Sequence, residues 1–285
     1  MKSRILMLFT ISLGLMAFAA SASATPLVYV VTLSQQFGTV DLATGKFSPI
    51  GNSTPDFLSN LVWWRDGTLL TLTTGGANPP GSLARINPAT GEETIIGQTG
   101  LGFNAFALGE VRGKLYLTDF GGNIYSVDAE SGIAAAITAT GIPPDPSIPL
   151  TFNSDGTFNL CDEGLYSVGG NLYATFDSFD IDVSVSPPTV AHVHVAPALY
   201  RIDPATGLAA LVARTDLQIG ALVEVEGGLY GFEGVLDGFD STFGIPIAHA
   251  ELVTVNLATG KTNILTDVDH SIGVIFGAAP VRNWQ

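Results

Sequence analysis

The sequence predicts an all-β fold, a single β-propeller of five four-stranded blades, and three observations lead to this prediction. One turn motif recurs five times, a tight hairpin with glycine at its tip recurs four times, and half-repeats stand at both ends of the chain. The chain has 285 residues, 46% of them hydrophobic, which is enough apolar material for one large domain. Four-stranded units at a period of roughly 40–50 residues bury one another's faces in a ring.

The turn motif begins with apolar residues that alternate as in a strand, followed by Asp or Asn, two variable residues, Thr or Ser, and Gly. An Asp or Asn side chain caps such a turn, and Gly adopts the left-handed conformation that follows it. The five copies lie at residues 39–45, 85–91, 126–132, 201–207 and 254–260.

A second element precedes four of these turns and has the pattern of a tight hairpin. Each copy has a glycine at the tip and a leucine two residues later; the glycines are Gly67, Gly113, Gly170 and Gly227. Each repeat therefore contains four strands in up-and-down order. The strands of a blade are called A to D from the axis outward.

The chain ends predict how the ring closes. The glycines of successive turns are 46, 41, 75 and 53 residues apart, and the segments outside the first and last turns together make one further repeat. Residues 271–279 resemble an innermost strand and residues 27–34 the next one, so the two ends are expected to share a blade, which leaves no unpaired edge. The long interval keeps six blades as the alternative, because residues 150–160 resemble the hairpin at 63–72.

Residues 1–24 have the pattern of a secretory signal peptide. Lys2 and Arg4 precede an apolar run that ends in Ser-Ala-Ser-Ala at 21–24, and the run is shorter than the roughly 20 residues that a membrane span requires. We expect cleavage near Ala24, a secreted or periplasmic location, a propeller domain at 25–285 and no membrane span after cleavage. Cys161 is the single cysteine, so no disulfide can form within the chain.

The charge of the chain limits the class of partner. Eleven Lys and Arg stand against 26 Asp and Glu, a net charge of −15, and this acidic balance excludes nucleic acid as an expected partner. A small molecule, a glycan or a peptide is the expected ligand class.

Residues 28–51 and 198–207 resemble the YVTN-type and related propeller repeats of secreted bacterial proteins. The resemblance extends over essentially all of the chain after residue 24. It implies the propeller fold and no particular activity, because such propellers include hydrolases, lyases, redox enzymes and binding modules.

The long connections are all expected at one end of the ring. The A–B and C–D turns are short, whereas the long segments at 75–82, 138–158, 176–197 and 233–249 are B–C or D–A connections. These two kinds of connection emerge at the same end, and loops on a rigid scaffold are the usual place for a binding site. This end is therefore the expected functional face.

Polar and aromatic residues at the starts of the A strands are expected around the axial mouth of this face. The candidates for ligand binding are Asn60, Asn104, Phe106, Asp162, Glu163, Gln218 and His270. Asp162, Glu163 and His270 have the chemistry to hold a cation or to perform acid–base catalysis. The alternative is a water-filled channel lined by solvated polar groups.

Two acidic inserts and two histidines are candidate metal ligands. The inserts supply Asp177, Asp180 and Asp182 in one blade and Glu233, Asp237 and Asp240 in the next, and oxygen-rich loops suit a divalent cation such as calcium. His192 and His194 fall on one side of a predicted strand, where two imidazoles can share a metal with His249 or a carboxylate. Solvated acidic loops and structural histidines are the alternatives.

Two functions remain open from the sequence. The first is a secreted binding or scaffold propeller with a ligand site on the face that bears the long connections. The second is a metal-assisted hydrolase or lyase that acts at the axial mouth.

Overall fold

A computed structural model describes residues 25–142, 153–185, 188–216, 218–240 and 245–282, with the backbone alone described at 160–163, 239–240 and 245–246. Five four-stranded antiparallel sheets form a five-bladed β-propeller. The predicted fold class and blade number are confirmed, and the six-blade alternative is wrong. Residues 1–24 lie outside the described residues. No helix in the described part of the chain has the length and apolar composition needed to cross a membrane.

The strands follow the chain around the ring. Blade 1 contains β1 (Leu27–Thr32), β2 (Phe37–Asp41) and β3 (Phe47–Pro49). Blade 2 contains β4 (Asp56–Trp63), β5 (Leu69–Gly76), β6 (Ser82–Ile86) and β7 (Glu93–Gln98). Blade 3 contains β8 (Ala105–Val111), β9 (Lys114–Asp119), β10 (Asn123–Val127) and β11 (Ala134–Ala139). Blade 4 contains β12 (Phe158–Val168), β13 (Asn171–Asp182), β14 (Thr189–Ile202) and β15 (Ala209–Arg214). Blade 5 contains β16 (Ile219–Val225), β17 (Gly228–Asp240), β18 (Ile245–Val255) and β19 (Thr262–Asp267), and β20 (Ile275–Pro280) returns to blade 1 as its innermost strand.

The ring closes through the two ends of the described chain, as the half-repeats predict. β20 pairs antiparallel with β1, from Val28 opposite Pro280 to Val31 opposite Gly277. Buried residues of blade 1 and blade 5, among them Val30 and Leu252, share one hydrophobic cluster. Pairing and packing therefore both join the chain ends into a continuous ring.

The repeated turns have the predicted conformation in all five blades. In each, the Asp or Asn side chain accepts a hydrogen bond from the backbone N–H two residues on, at 2.8–3.0 Å. Each terminal glycine has a φ between 69° and 79°. At Gly45 a Cβ would come within 2.2 Å of the backbone oxygen of Asp267 in blade 5, so glycine here also permits close approach between blades.

Asn60 ties three innermost strands together. Its φ is 56°, and it interrupts the pairing of β4 with β5. Its Oδ1 accepts a hydrogen bond from the Leu108 N–H in β8 at 2.7 Å, and its Nδ2 is 3.5 Å from the Phe276 carbonyl oxygen in β20. A buried, left-handed Asn is thus used to join blades 1, 2 and 3.

Two of the predicted long loops are strands instead. β13 pairs with β14 as far as Asp182 opposite Thr189, and β17 pairs with β18 as far as Asp240 opposite Ile245. The described residues of the segments at 176–197 and 233–249 therefore extend the β13–β14 and β17–β18 hairpins. Residues 158–160, taken above as part of a possible extra hairpin, belong to β12. Residues 143–152 of the connection at 138–158 lie outside the described residues.

Candidate functional site

The extended strands of blades 4 and 5 build a platform at one end of the ring. We use the name platform for the described residues within 153–163 and 176–197 of blade 4 and within 233–249 of blade 5. Phe158, Phe179 and Ile181 are buried in a small hydrophobic core of their own, and the half-buried Leu236 of blade 5 packs against it. The two hairpins therefore support each other as ordered structure beyond the ring.

All four histidines of the chain lie on the platform or at its edge. Each has a ring nitrogen within 4 Å of an aspartate oxygen: His192 and His194 face Asp180, His249 faces Asp237, and His270 faces Asp267. Imidazole–carboxylate pairs are typical of proton-transfer and metal sites. The pairs form two groups, one in blade 4 and one in blade 5.

The blade 4 group is centred on a buried, fully occupied carboxylate. Asp180 lies 2.8 Å from Nε2 of His194 and accepts hydrogen bonds from the side-chain amides of Asn153 at 2.7 Å and Asn159 at 3.3 Å. Burial raises the pKa of Asp180, but these hydrogen bonds outweigh burial and hold the pKa below its usual value. A carboxylate with this many donors has a structural role in bracing the hairpin.

The blade 5 group has two stacked imidazoles beside a carboxylate. His249, on β18, is buried, and its Nδ1 lies 2.9 Å from Oδ2 of Asp237 at a bulge in β17. The ring of His270, in the 3₁₀ turn His270–Ile272, stacks on that of His249 with centroids 3.9 Å apart and planes at 10°. Asp237, His249 and His270 each offer a ligand atom, and these atoms all lie within 4.8 Å of one another.

A row of carboxylates crosses blade 5 next to this group. Glu233 is opposite Glu251, and Glu251 is opposite Asp267. His249, Glu251 and Asp267 form a second set of three ligand atoms within 4.8 Å. Burial raises the pKa of Glu233 to about 7, and the neighbouring carboxylates of Glu251 and Asp216 act in the same direction. This row places three carboxyl groups beside the two imidazoles.

No family model matches the chain, and no curated protein matches it. Among solved structures, the chain is similar to a structural genomics protein of unknown function from Bacteroides thetaiotaomicron VPI-5482, with a TM-score of 0.48 and 13% identity. The match covers 86% of this chain and 56% of that protein, so this chain spans little more than half its length. The YVTN-type resemblance stays a prediction.

The axial candidates are dispersed in the structure. Asn60 is buried and lines an axial cavity of about 260 Å³ together with Glu110, Tyr166 and Glu224. Asn104 is exposed in the turn before β8. Phe106 is half-buried against Phe120, with ring centroids 4.5 Å apart, and Gln218 is half-buried just before β16. Their role in ligand binding stays a prediction.

The proposed grouping of Asp162, Glu163 and His270 rests on side chains that are only partly described. The backbone of Asp162 and Glu163 lies in the middle of β12, opposite Asp177 and Phe176, and not at the start of an A strand as expected. Their side chains lie outside the described residues. His270 contacts blade 5. The register error arose because β12 begins at Phe158, several residues earlier than in the short blades.

The acidic inserts do not form exposed loops. Asp177 and Asp180 are buried within β13, and Asp182 caps the following turn by accepting from the Ser184 N–H at 2.9 Å. Asp237 lies in the blade 5 group and Glu233 in the row of carboxylates next to it. The side chain of Asp240 is outside the described residues. The two sets of acids thus fall in different clusters, and calcium binding stays a prediction.

Glu251 and Asp267 were missed by sequence reasoning. Two sequence signals point to them. His249 and Glu251 are two residues apart and so share one face of β18, and Asp267 precedes His270 by three residues. Only the strand register brings these two pairs together.

The outer strand of the blade 4 hairpin has an open edge. β15 pairs with β14 only at Ala198–Ile202, although β14 begins at Thr189. The six residues Thr189–His194 are all exposed, and no other described strand pairs with their outer side. We call residues 189–195 the edge segment. A strand whose outer side has no partner among the described strands presents unpaired backbone N–H and C=O groups there.

Proposed function

We propose that this protein is an exported binding propeller that captures an extended peptide along the edge segment of blade 4. The β-propeller fold supports a binding or scaffold role in general. The observation that favours a peptide is the open edge, because an added strand satisfies its backbone groups and alternate side chains then supply specificity. The platform core holds this edge in place.

The side chains of the edge segment indicate the chemistry of the peptide. Val190 and Val193 are more than half exposed, and His192 and His194 alternate with apolar residues. The segment contains no Lys or Arg, which are the residues that usually protect an edge from pairing. Since the chain carries a net charge of −15, a peptide that alternates apolar and basic residues is the best complement.

The experiment uses a library of random linear peptides displayed on phage and selected on the purified protein. A double variant, Val190→Lys with Val193→Lys, places charge on the edge. We expect it to bind the selected peptide at least about tenfold more weakly than the unaltered protein does. Leu208→Lys is the matched control, because Leu208 is 57% exposed in the C–D turn at the other end of the blade. The proposal is wrong if no peptide is selected, or if the double variant binds the peptide as tightly as the unaltered protein.

A metal-assisted hydrolase or lyase is the second candidate. Asp237, His249 and His270 provide three ligand atoms close together, and three protein ligands leave a coordination position for water or substrate. Turnover of ester or glycoside substrates that requires added metal and is lost in His270→Asn would favour this candidate over peptide capture.

A further inference from the structure

We propose that Asp237, His249 and His270 bind a divalent transition metal of the zinc class at the edge of the platform. This inference is independent of peptide capture, because it concerns the blade 5 hairpin and the turn that follows β19. Three different elements bring the ligands together: a bulge in β17, the strand β18, and the 3₁₀ turn before β20.

The ligand atoms lie near the spacing that such a metal requires. The stacked rings hold their in-plane lone pairs in nearly parallel planes, so the His270 ring must turn before both nitrogens face one metal. At metal–ligand distances of 2.0–2.2 Å, neighbouring atoms of a tetrahedral site are roughly 3.4 Å apart. Nδ1 of His249 and Oδ2 of Asp237 are already 2.9 Å apart, and all three ligand atoms are within 4.8 Å of each other. The side chains of Asp237 and His270 are 40% and 59% exposed, so both can make the remaining adjustment. His249, whose side chain is 9% exposed, is the fixed member.

The charge around the stack favours a cation. Glu251 and Asp267 lie next to His249, and Glu233 follows in the same row. A bound dication would offset the mutual repulsion of these carboxylates.

The ligand set selects the class of metal. Imidazole nitrogen is a ligand for zinc, copper, nickel and iron, whereas calcium takes six to eight oxygen ligands. Two histidines with one aspartate therefore favour a transition metal over the calcium expected from the acidic inserts. The blade 4 group differs, because the Asp180 carboxylate is already occupied by two asparagine amides and His194.

The experiment titrates the purified full chain, stripped with chelator, with Zn²⁺ in a calorimeter, and with Co²⁺ followed by visible absorption. We expect one equivalent of Zn²⁺ with micromolar or tighter affinity, a Co²⁺ spectrum typical of nitrogen and oxygen ligands, and no competition by Ca²⁺. His270→Asn should weaken Zn²⁺ binding at least about tenfold, as should Asp237→Asn. His249→Asn should do the same, and His270→Asn keeps the test valid if the buried variant fails to fold.

His192→Asn is the matched control, since the His192 side chain is 62% exposed and also lies within 4 Å of an aspartate. It should bind Zn²⁺ as the unaltered protein does. The proposal is overturned if the stripped protein binds no Zn²⁺, if His270→Asn binds as well as the unaltered protein, or if His192→Asn loses as much affinity as His270→Asn. These results leave peptide capture by the edge segment untouched, so failure of one proposal is distinguishable from failure of the other.

Discussion

Blades 3 and 5 have inner and outer strands of the same length but differ in the two strands between them. The innermost strands have 7 residues and the outermost 6 in both blades. The middle strands have 6 and 5 residues in blade 3 and 13 and 11 in blade 5. In these two blades the strands that face the axis and the rim keep the same length, whereas the middle pair of blade 5 extends beyond the ring.

The same contrast appears at one equivalent carboxyl position. Asp119 and Glu233 are both the sixth residue after the A–B hairpin glycine. In blade 3 the chain turns at this point, and Asp119 accepts hydrogen bonds from the Asn123 backbone and side chain at 2.8–3.1 Å and from the Tyr125 hydroxyl at 2.8 Å. In blade 5 the strand continues, and Oε2 of Glu233 is buried without a hydrogen bond from the described residues.

A longer hairpin between strands B and C turns a structural carboxyl into a candidate ligand. A tight B–C turn supplies the donors that neutralise a carboxyl at the end of strand B. Lengthening the hairpin removes those donors and places the carboxyl beside Glu251 of the partner strand. Polar groups that were closed into a structural network then become available to a ligand or metal.

The largest expected effect comes from opening the ring that all blades share. Removal of residues 274–285 deletes β20, whose Ile275, Ala278 and Ala279 are buried, and leaves β1 unpaired on its inner side. We expect loss of the cooperative unfolding transition, measured by calorimetry and circular dichroism. Removal of residues 283–285 alone is the control and should leave the transition in place. A truncated protein with an unchanged melting temperature would contradict closure through β20.

Asn60→Ala should give the next largest effect, because it removes the side chain that connects three inner strands. Alanine loses the hydrogen bond to Leu108 and must adopt the left-handed backbone. We expect these two effects together to lower the free energy of unfolding by about 2–4 kcal/mol. Asn60→Gly is the matched variant, since it removes the side chain but tolerates a φ of 56°. Equal losses in both variants would show that backbone strain contributes nothing.

Asp119→Ala and Asp237→Ala test the comparison between blades 3 and 5 directly. Asp119→Ala leaves the Asn123 and Tyr125 donors without their acceptor, and we expect a loss of about 2–3 kcal/mol in chemical denaturation. Asp237 is 40% exposed on its side chain, so Asp237→Ala should cost less than about 1 kcal/mol. Similar costs would mean that the blade 5 group is as much a structural network as that of blade 3.

Sequence reasoning was most accurate where one residue sets the backbone. Gly45 and the four equivalent glycines have the predicted positive φ, because Asp or Asn followed by Gly specifies a turn locally. The shared blade was also predictable, since the lengths of the terminal segments must complete a repeat.

The candidate site could be predicted only in part, because strand length and register determine it. His192 and His194 are on β14 and near an insert carboxylate, as expected. Glu251 and Asp267 were missed because neither lies near Asp237 in the sequence, and they meet each other only through cross-strand pairing. Asn60 was expected at the axial mouth, and the residues around it in the sequence do not indicate its left-handed, buried conformation.

The smallest expected effect is a change in the pH dependence of stability in Glu233→Gln. The pKa of Glu233 is raised from 4.5 to about 7, so the folded protein binds a proton there that the unfolded chain releases. This contribution to stability is fully present below pH 4.5 and is lost as the pH rises to 7. Glutamine fixes the neutral form, and the variant should match the unaltered protein at pH 4 and exceed it at pH 8. Allowing for partial exposure, the gain is on the order of 1 kcal/mol.

The measurement is urea denaturation of both proteins between pH 4 and pH 8 in the presence of chelator. Burial also raises the pKa of Glu93 in blade 2 to about 8, with the neighbouring Asp56 acting in the same direction, so the contribution of Glu93 to stability also falls over this range in both proteins. Glu93 is unchanged between them, and its contribution cancels in the difference between the two curves. A difference that does not vary with pH would mean that Glu233 has the same pKa in the folded protein as in the unfolded chain. The carboxyl that lacks the donors of a tight turn would then be as well solvated as any surface glutamate, and the contrast with Asp119 would disappear.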